Sequence, residues 1–447
     1  MAKRTMNLVG HMCIGPTMHH AGSWRHPESD SENSLDPARY ERLARIYEAG
    51  LFDALFLVDY LGITDWQQNA RSGVLERGGQ MTMLDPLQML AVMARVTKHV
   101  GLAATFSTTY NHAYQIARQF STLDHISNGR AGWNIVTSGQ VVEARNLGLE
   151  RPLDPVRRYD QADEVMAACN ALWDSWDADA VVADKQRGLF VDPDKVHHVD
   201  YAGAMVKTQG APTSPRSPQG RPVFMQAGAS DRGRDFAARW AEIIFANRYD
   251  KAGMKAFHDD IKGRMADIGR SPEACAVLPA IAVIVADTEA EAQARAEYVD
   301  SFTTPEMGLG MVEVSVGRSL KGFPLDTPIA DLPVGPSGPP ARGVYDNMLA
   351  MRKDGRGLTL AEVAVRKATT WGLPRFVGTP ASVVDQMQEL FDERCCDGFI
   401  VAQPLSPGDL ILFVEKIVPE LQRRGLYRTA YTGRTFRENL KSALGGA

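Results

Sequence analysis

Apolar residues along the chain recur in two rhythms. Short runs of strand length appear at 7–13 (NLVGHMC), 54–59 (ALFLVD), 101–108 (GLAATFST) and 132–138 (GWNIVTS), then at 222–228 (PVFMQAG), 241–246 (AEIIFA), 276–286 (AVLPAIAVIVA) and 398–403 (GFIVAQ). Between them lie segments whose apolar positions follow the helical repeat. The segment LDPARYERLARIYEAG sets Asp36 as N-cap, Pro37 in the first turn and Gly50 as the stop, and LDPLQMLAVMARVTKHVG repeats the plan with Asp85, Pro86 and Gly101. Eight strands alternating with helices predict a parallel sheet closed into a (β/α)8 TIM barrel. The competing doubly wound sheet would offer a glycine-rich phosphate loop after its first strand, and GHMCIGPTMHHAG does not fit G-x-G-x-x-G.

The pattern predicts one barrel domain over 1–447, with departures at three places. Residues 178–220 interrupt the alternation and read as a small hairpin-bearing insertion. Residues 303–357, rich in Gly and Pro, read as a long mobile loop or lid. The tail, 425–447, reads as extended and polar, able to wrap a neighbouring subunit or to fray.

Composition narrows the functions. The 447 residues are 44% apolar, and 49 Lys and Arg stand against 54 Asp and Glu, a net charge of −5. With no basic run, nucleic acid and anionic membranes are not expected partners. The five cysteines, Cys13, Cys169, Cys275, Cys395 and Cys396, show no C-x-x-C spacing and read as reduced thiols. No apolar stretch is of membrane-spanning length and no signal-type segment opens the chain, so a cytoplasmic protein is expected.

In such a barrel, chemistry belongs at the C-terminal ends of the strands. Asp59 ends the second run. The fourth places an amide, Asn134, among apolar residues and finishes in Thr137, Ser138 and Gly139. Because side chains alternate, Asn134, Val136 and Ser138 share one face and Trp133 and Ile135 the other. The fifth continues into AGASDRGRDFAARW, a strand, a small-residue turn and a helix. Free N–H groups of its first turn, the Ser230 hydroxyl and Arg232 or Arg234 could hold a phosphate, although an ordinary capped helix reads the same way. Arg232 stands where G-x-S-x-G needs its last glycine, which disfavours a serine hydrolase. The adjacent histidine pairs His19–His20 and His197–His198 lack the spacing of a helical metal site, and no metal is expected. Phe56, Trp133, Phe224, Met225 and Phe245 suggest a flat apolar slot. A phosphorylated cofactor suits this set better than a metal or a covalent nucleophile. An acid–base hydrolase or lyase using Asp59 and a histidine remains the alternative of another class.

Longer motifs narrow the choice. SWRHP, LFDALFLVD, ATFSTTY, LDHISNGRAGWNIVTS, ARNLG, QAGASDRGRDFAARWAE and VPELQRRGLYR together resemble the nitrilotriacetate monooxygenase family, a branch of the bacterial-luciferase-like flavin monooxygenases. KVHHVDYAG and FPLDTPI look close to its dibenzothiophene-sulfone members. The likeness spans nearly the whole chain. It implies a luciferase-like barrel that uses reduced FMN from a separate NAD(P)H:flavin reductase, with O2 as co-substrate and one oxygen atom transferred to a small organic molecule. It further implies a homo-oligomer, dimer or tetramer. Carried over by position, Asp59, Thr105 and Asn134 would lie beside the flavin ring. Ser138, Tyr159, Ala229 and Ser230 would hold its ribityl and phosphate end, and Phe56 and Phe245 would line the substrate side. His19 or His20 would supply the substrate-side polar group, with Asn134 near the reacting oxygen.

Two positions depart from the family pattern. Pro155 stands where relatives commonly carry a histidine, and the long loop reads VEVSVGRS where sulfone-cleaving relatives bring one. The expected reaction is oxygenation with C–S cleavage of an organosulfur compound such as an aromatic sulfone. Oxidative dehalogenation of a polyhalogenated aromatic by the same chemistry is the alternative, and a non-catalytic flavin-binding protein is a third reading.

Overall fold

The structure, a computed structural model, describes residues 4–17, 19–63, 75–79, 81–336, 338, 342–353 and 355–444. Parts of the predicted lid and the last three residues of the tail fall outside these. The eight predicted strands all form: β1 (Asn7–Cys13), β2 (Ala54–Val58), β3 (Gly101–Ser107), β4 (Ala131–Val136), β5 (Val223–Gln226), β6 (Ile243–Ala246), β7 (Ala276–Val285) and, last in the chain, β9 (Gly398–Ala402). Each pairs in parallel with its neighbours, and β9 closes the ring between β7 and β1. A ninth strand, β8 (Arg375–Gly378), went unpredicted because four residues carry almost no periodic signal. It pairs with the far end of β7, whose ten residues serve β6, β9 and β8 in turn.

Side-chain alternation builds two cores from the same strands. Val9 and Cys13, Ala54, Phe56 and Val58, Ala103, Val223 and Met225, Ile243, Leu278 and Ile400 form one apolar cluster inside the barrel. The alternate residues Leu8 and Met12, Leu55 and Leu57, Leu102 and Ala104 join the cluster formed with the surrounding helices. Trp133 and Ile135 likewise pack outward, in a cluster with Phe120, Trp173 and Phe224. The inward series therefore reaches the C-terminal mouth as His11, Phe56, Thr105, Asn134, Met225 and Phe245.

The first helix spans Pro37–Ala49, where the Asp36 carboxylate accepts from the Ala38 N–H and Gly50 follows as its C-cap. The second spans Pro86–Ala94 behind Asp85; it stops well before Gly101, which opens β3 instead. Within 178–220 lie two short antiparallel hairpins, 181–184 with 189–191 and 200–202 with 207–209.

The stretch read as loop at 303–357 carries helices Pro305–Val316 and Arg342–Ala350. Val312, Val316, Leu320, Ile329, Met348 and Met351 form a cluster there with Leu360, Val363 and Ala364 of the following helix, Leu360–Thr370. Gly308 lets the two backbones meet, since a Cβ there would lie 1.8 Å from the Ala364 carbonyl oxygen. The tail also differs from its extended reading. Tyr427 is buried, Arg428 pairs with buried Asp53, and Phe436–Leu444 is helical. Phe436 and Leu440, one turn apart, enter the barrel's interior cluster from its N-terminal end. The Phe436 ring fits because Gly101 opens β3 and Gly132 is second in β4, where a Cβ would stand 2.6 and 3.0 Å from it.

Candidate active site

At the opposite end, a cavity of about 270 Å³ is lined by Asp59, Tyr60, Thr105, Ile135, Thr137 and Ser138, continuing to Glu143, Tyr159, Gln226 and Gly228. Asn134 and Thr105 face each other across the β3–β4 ladder, and the Asn134 amide donates to Thr105 Oγ1 at 2.9 Å. A buried amide here keeps its donor satisfied while its position points into the barrel. Beyond Val136 the strand breaks, and Ser138 adopts a positive φ of 38°. That conformation is uncommon for a residue with a Cβ, and the turn it makes brings Ser138 and Gly139 to the cavity wall.

The other wall is a cradle with no room for added carbon. A Cβ on Gly228 would lie 2.3 Å from Gln226 Nε2 and 3.0 Å from the Tyr159 hydroxyl; one on Gly233 would lie 2.6 Å from that hydroxyl and 3.0 Å from Ser230 Oγ. Ser230 caps helix Asp231–Trp240, accepting from the Gly233 N–H at 3.1 Å. The bare N–H groups of this first turn, the Ser230 and Tyr159 hydroxyls and two glycines suit an oxyanion such as a phosphate. Arg232 and Arg234, the cations expected from sequence, turn to carboxylates instead: Arg232 to Asp160 and Asp163, Arg234 to Asp231 and Asp260. Sequence reasoning missed Arg158. Its guanidinium lies where a Cβ on Gly139 would meet Nη1 at 2.1 Å, and it has no ion-pair partner among the described residues. Its signal was modest, a position next to Tyr159 in VRRY.

Asp59 is part of the cavity wall. Burial, with the Asp85 and Glu143 carboxylates adding to it, pushes its carboxyl up to about 7. No histidine hydrogen-bonds it among the described residues, which leaves the acid–base alternative without its second partner.

The two candidate histidines part company. His19 joins Phe56 and Phe245 through His11, which stacks on Phe56 with centroids 5.0 Å apart and planes at 3°. His20 lies away from that group, with Nε2 at 3.2 Å from Asp300 and 3.4 Å from the Thr303 hydroxyl. His11 was overlooked because one imidazole inside an apolar run gives no motif. Among the described residues no group of three or more His, Cys, Asp or Glu could hold a metal ion, and no helix is long and apolar enough to cross a membrane.

The parallel barrel thus carries at its mouth a cradle suited to an anion, with the Phe56 and Phe245 rings set around His11 inside it. Comparison with known proteins gives the lineage: the luciferase-like monooxygenase family model matches residues 17–396, and the chain belongs to that family. It is 40% identical to dibenzothiophene-sulfone monooxygenase of Rhodococcus erythropolis over 447 residues, 98% of this chain and 97% of the relative. Nitrilotriacetate monooxygenase component A of Aminobacter aminovorans is also 40% identical, over 94% of this chain and 93% of its own. The crystal structure of DmoA from Hyphomicrobium sulfonivorans superposes with a TM-score of 0.90 at 32% identity, covering 98% of this chain and 92% of that one.

Proposed function

We propose that the chain is the oxygenating component of a two-component system that takes reduced FMN from a separate NAD(P)H:flavin reductase. The substrate on this reading is an organosulfur compound that undergoes C–S cleavage. The observation that carries the flavin assignment is the cradle of Gly228, Ser230, Gly233 and Tyr159, completed by Arg158. The organosulfur reading draws on the relative named for dibenzothiophene sulfone, and the two-component reading on the relative named as component A.

Reduced FMN, when bound, supplies the electrons that let one atom of O2 be transferred to the substrate. The chain's own residues bind, orient and shield. Ser230, Tyr159, Arg158 and the N–H groups at Ala229 and Ser230 would hold the phosphate, and Ser138 and Gly139 would border the ribityl chain. Asp59, whose carboxyl burial raises to about 7, would in its protonated form donate a hydrogen bond to the ring. Thr105 holds the Asn134 amide through one N–H, which would leave its carbonyl oxygen and second N–H available to the flavin or its substrate. Phe56 and Phe245 exclude water from the substrate side and offer it flat apolar surface.

Equilibrium binding of reduced FMN under anaerobic conditions tests the reading. Tyr159→Phe should weaken binding by about 1.5–3 kcal/mol, the worth of a hydrogen bond to a charged group. Ser230→Ala should weaken it similarly and also lower the thermal midpoint, because the helix loses its cap, at about 1 kcal/mol. If neither reduced nor oxidised FMN binds the wild-type protein, the assignment fails.

A further inference from the structure

His11 and His19 form a pair that flavin binding leaves unexplained. His11 is the inward-facing residue between Val9 and Cys13 on β1 and is 8% exposed; His19 is 2% exposed. His11 Nδ1 and His19 Nε2 lie 2.5 Å apart, so a single proton bridges the rings. Phe56 covers one face of His11 and Phe245 stands 5.5 Å from it at an inclined angle. The two outer nitrogens, His11 Nε2 and His19 Nδ1, are buried without a hydrogen-bond partner. Neither ring has an ion-pair partner among the described residues. Burial pushes His11 down to about 3, and burial together with His11 holds His19 well below its ordinary value. Both rings are therefore neutral at pH 7.

Proton counting then fixes what the pair offers. Two neutral imidazoles carry two N–H donors and two lone pairs. One donor and one lone pair are used between the rings. What remains is always one donor and one acceptor, on different rings. With the bridging proton on His19, His11 Nε2–H donates outward and His19 Nδ1 accepts; with it on His11, both outer ends reverse. Reversal takes one proton in at His19 Nδ1, moves one across the bridge and releases one at His11 Nε2, with no change of net charge. Buried polar groups in folded proteins are normally satisfied, and two orphans on one hydrogen-bonded pair, with Phe56 and Phe245 against His11, point to a bound partner.

We infer that His11 and His19 are the polar end of the substrate pocket, and that they select an uncharged substrate whose oxygen accepts a hydrogen bond from His11 Nε2. Its apolar body lies against Phe56 and Phe245. The identification of this space as the substrate pocket rests on the flavin monooxygenase reading. Sulfones, sulfoxides and amides meet the requirement. A thioether or alkane leaves the His11 donor buried and unpaired, and a carboxylate finds no positive charge to offset its desolvation. After reversal of the pair, His11 Nε2 accepts from a hydroxyl, so the same residue also fits a hydroxylated product.

Two measurements test this. Nitrogen-15 NMR of histidine-labelled protein at pH 7, assigned by difference against His11→Phe, should show both rings neutral with one protonated nitrogen each. An imidazolium signature on either ring overturns the inference. Equilibrium dialysis with oxidised FMN present then compares dibenzothiophene sulfone with dibenzothiophene. The wild-type protein should bind the sulfone at least about tenfold tighter. His11→Phe keeps the aromatic stack but removes both nitrogens, and should bring the two ligands to within about twofold while FMN affinity is unchanged. Equal binding by the wild type, or a preference retained in the variant, overturns it. Wild-type protein that does not bind FMN sinks the flavin assignment instead, and the NMR result still decides the state of the pair.

Discussion

At the scale of single residues, the site works by placing polar groups where an apolar barrel would otherwise continue. Thr105, Asn134 and His11 occupy inward positions whose neighbours along the strand are Ala103, Gly132 and Val9, so each enters the mouth without disturbing the layer below. Asp59 carries a testable consequence. Below about pH 7 it is protonated and can donate to a flavin; above that pH it is ionised and repels the negative charge of reduced FMN. FMN affinity should therefore fall as pH rises through 7. Asp59→Asn keeps a donor that cannot ionise, and the component of the pH dependence lost in that variant, read by anaerobic titration, is the contribution of Asp59. A wild-type profile identical to that of the variant would remove the role. Asp59, Asn134 and Ser138, which line or border the cavity, were legible because strand ends are fixed by periodicity, whereas Thr105 and Tyr159 were expected there only through the family resemblance. Arg158 and His11 were not, since their importance comes from partners distant in sequence: Gly139 for one, Phe56 and His19 for the other.

At the scale of elements, the helix Leu360–Thr370 shows where tertiary packing overrides local reading. Its apolar face joins Val312, Val316, Met348 and Met351, and this contact makes packed structure of a segment whose Gly and Pro content reads as loop. Lys367 lies on the same helix, 4% exposed and with no side-chain partner among the described residues. Burial pushes its ammonium down to about 8 from the ordinary 10.5. The unfolded chain thus binds the extra proton between those values, so stability rises as pH climbs from 8 to 10.5, and the burial cost is complete below 8. Lys367→Met removes that charge while filling similar volume. It should raise the thermal midpoint at pH 7 and leave it nearly unchanged at pH 10.5; an increase of the same size at both pH values would show that burial of charge is not the cause.

For the whole molecule, the proposed division of labour is that the barrel binds and shields while another protein reduces the flavin. Photoreduced FMN, added without any reductase, should then support oxygen-dependent product formation from an accepted substrate. A strict requirement for the reductase protein, seen as no product when reduced FMN is supplied alone, would point to obligatory transfer within a complex. The fold that supports this was largely written in the chain. Eight apolar runs with capped helices between them specify a parallel sheet, because parallel strands need crossovers, and the missing glycine-rich loop after the first strand favours closure into a barrel over an open sheet.

The sequence by itself determined the strands that close the ring, the mouth at their C-terminal ends and the run from Gly228 to Gly233 proposed to hold a phosphate. These depend on local rules: a period of two for strands, the caps of helices and the small residues that a tight turn demands. Only the tertiary structure decided that the tail plugs the barrel with Phe436, that the predicted lid has its own core, that His19 rather than His20 meets the aromatic slot, and that Arg158 rather than Arg232 has no ion-pair partner among the described residues. Those outcomes follow from which distant groups compete for each side chain. Asp160 and Asp163 hold Arg232, Asp300 holds His20, and Gly101 and Gly132 open the space that Phe436 fills.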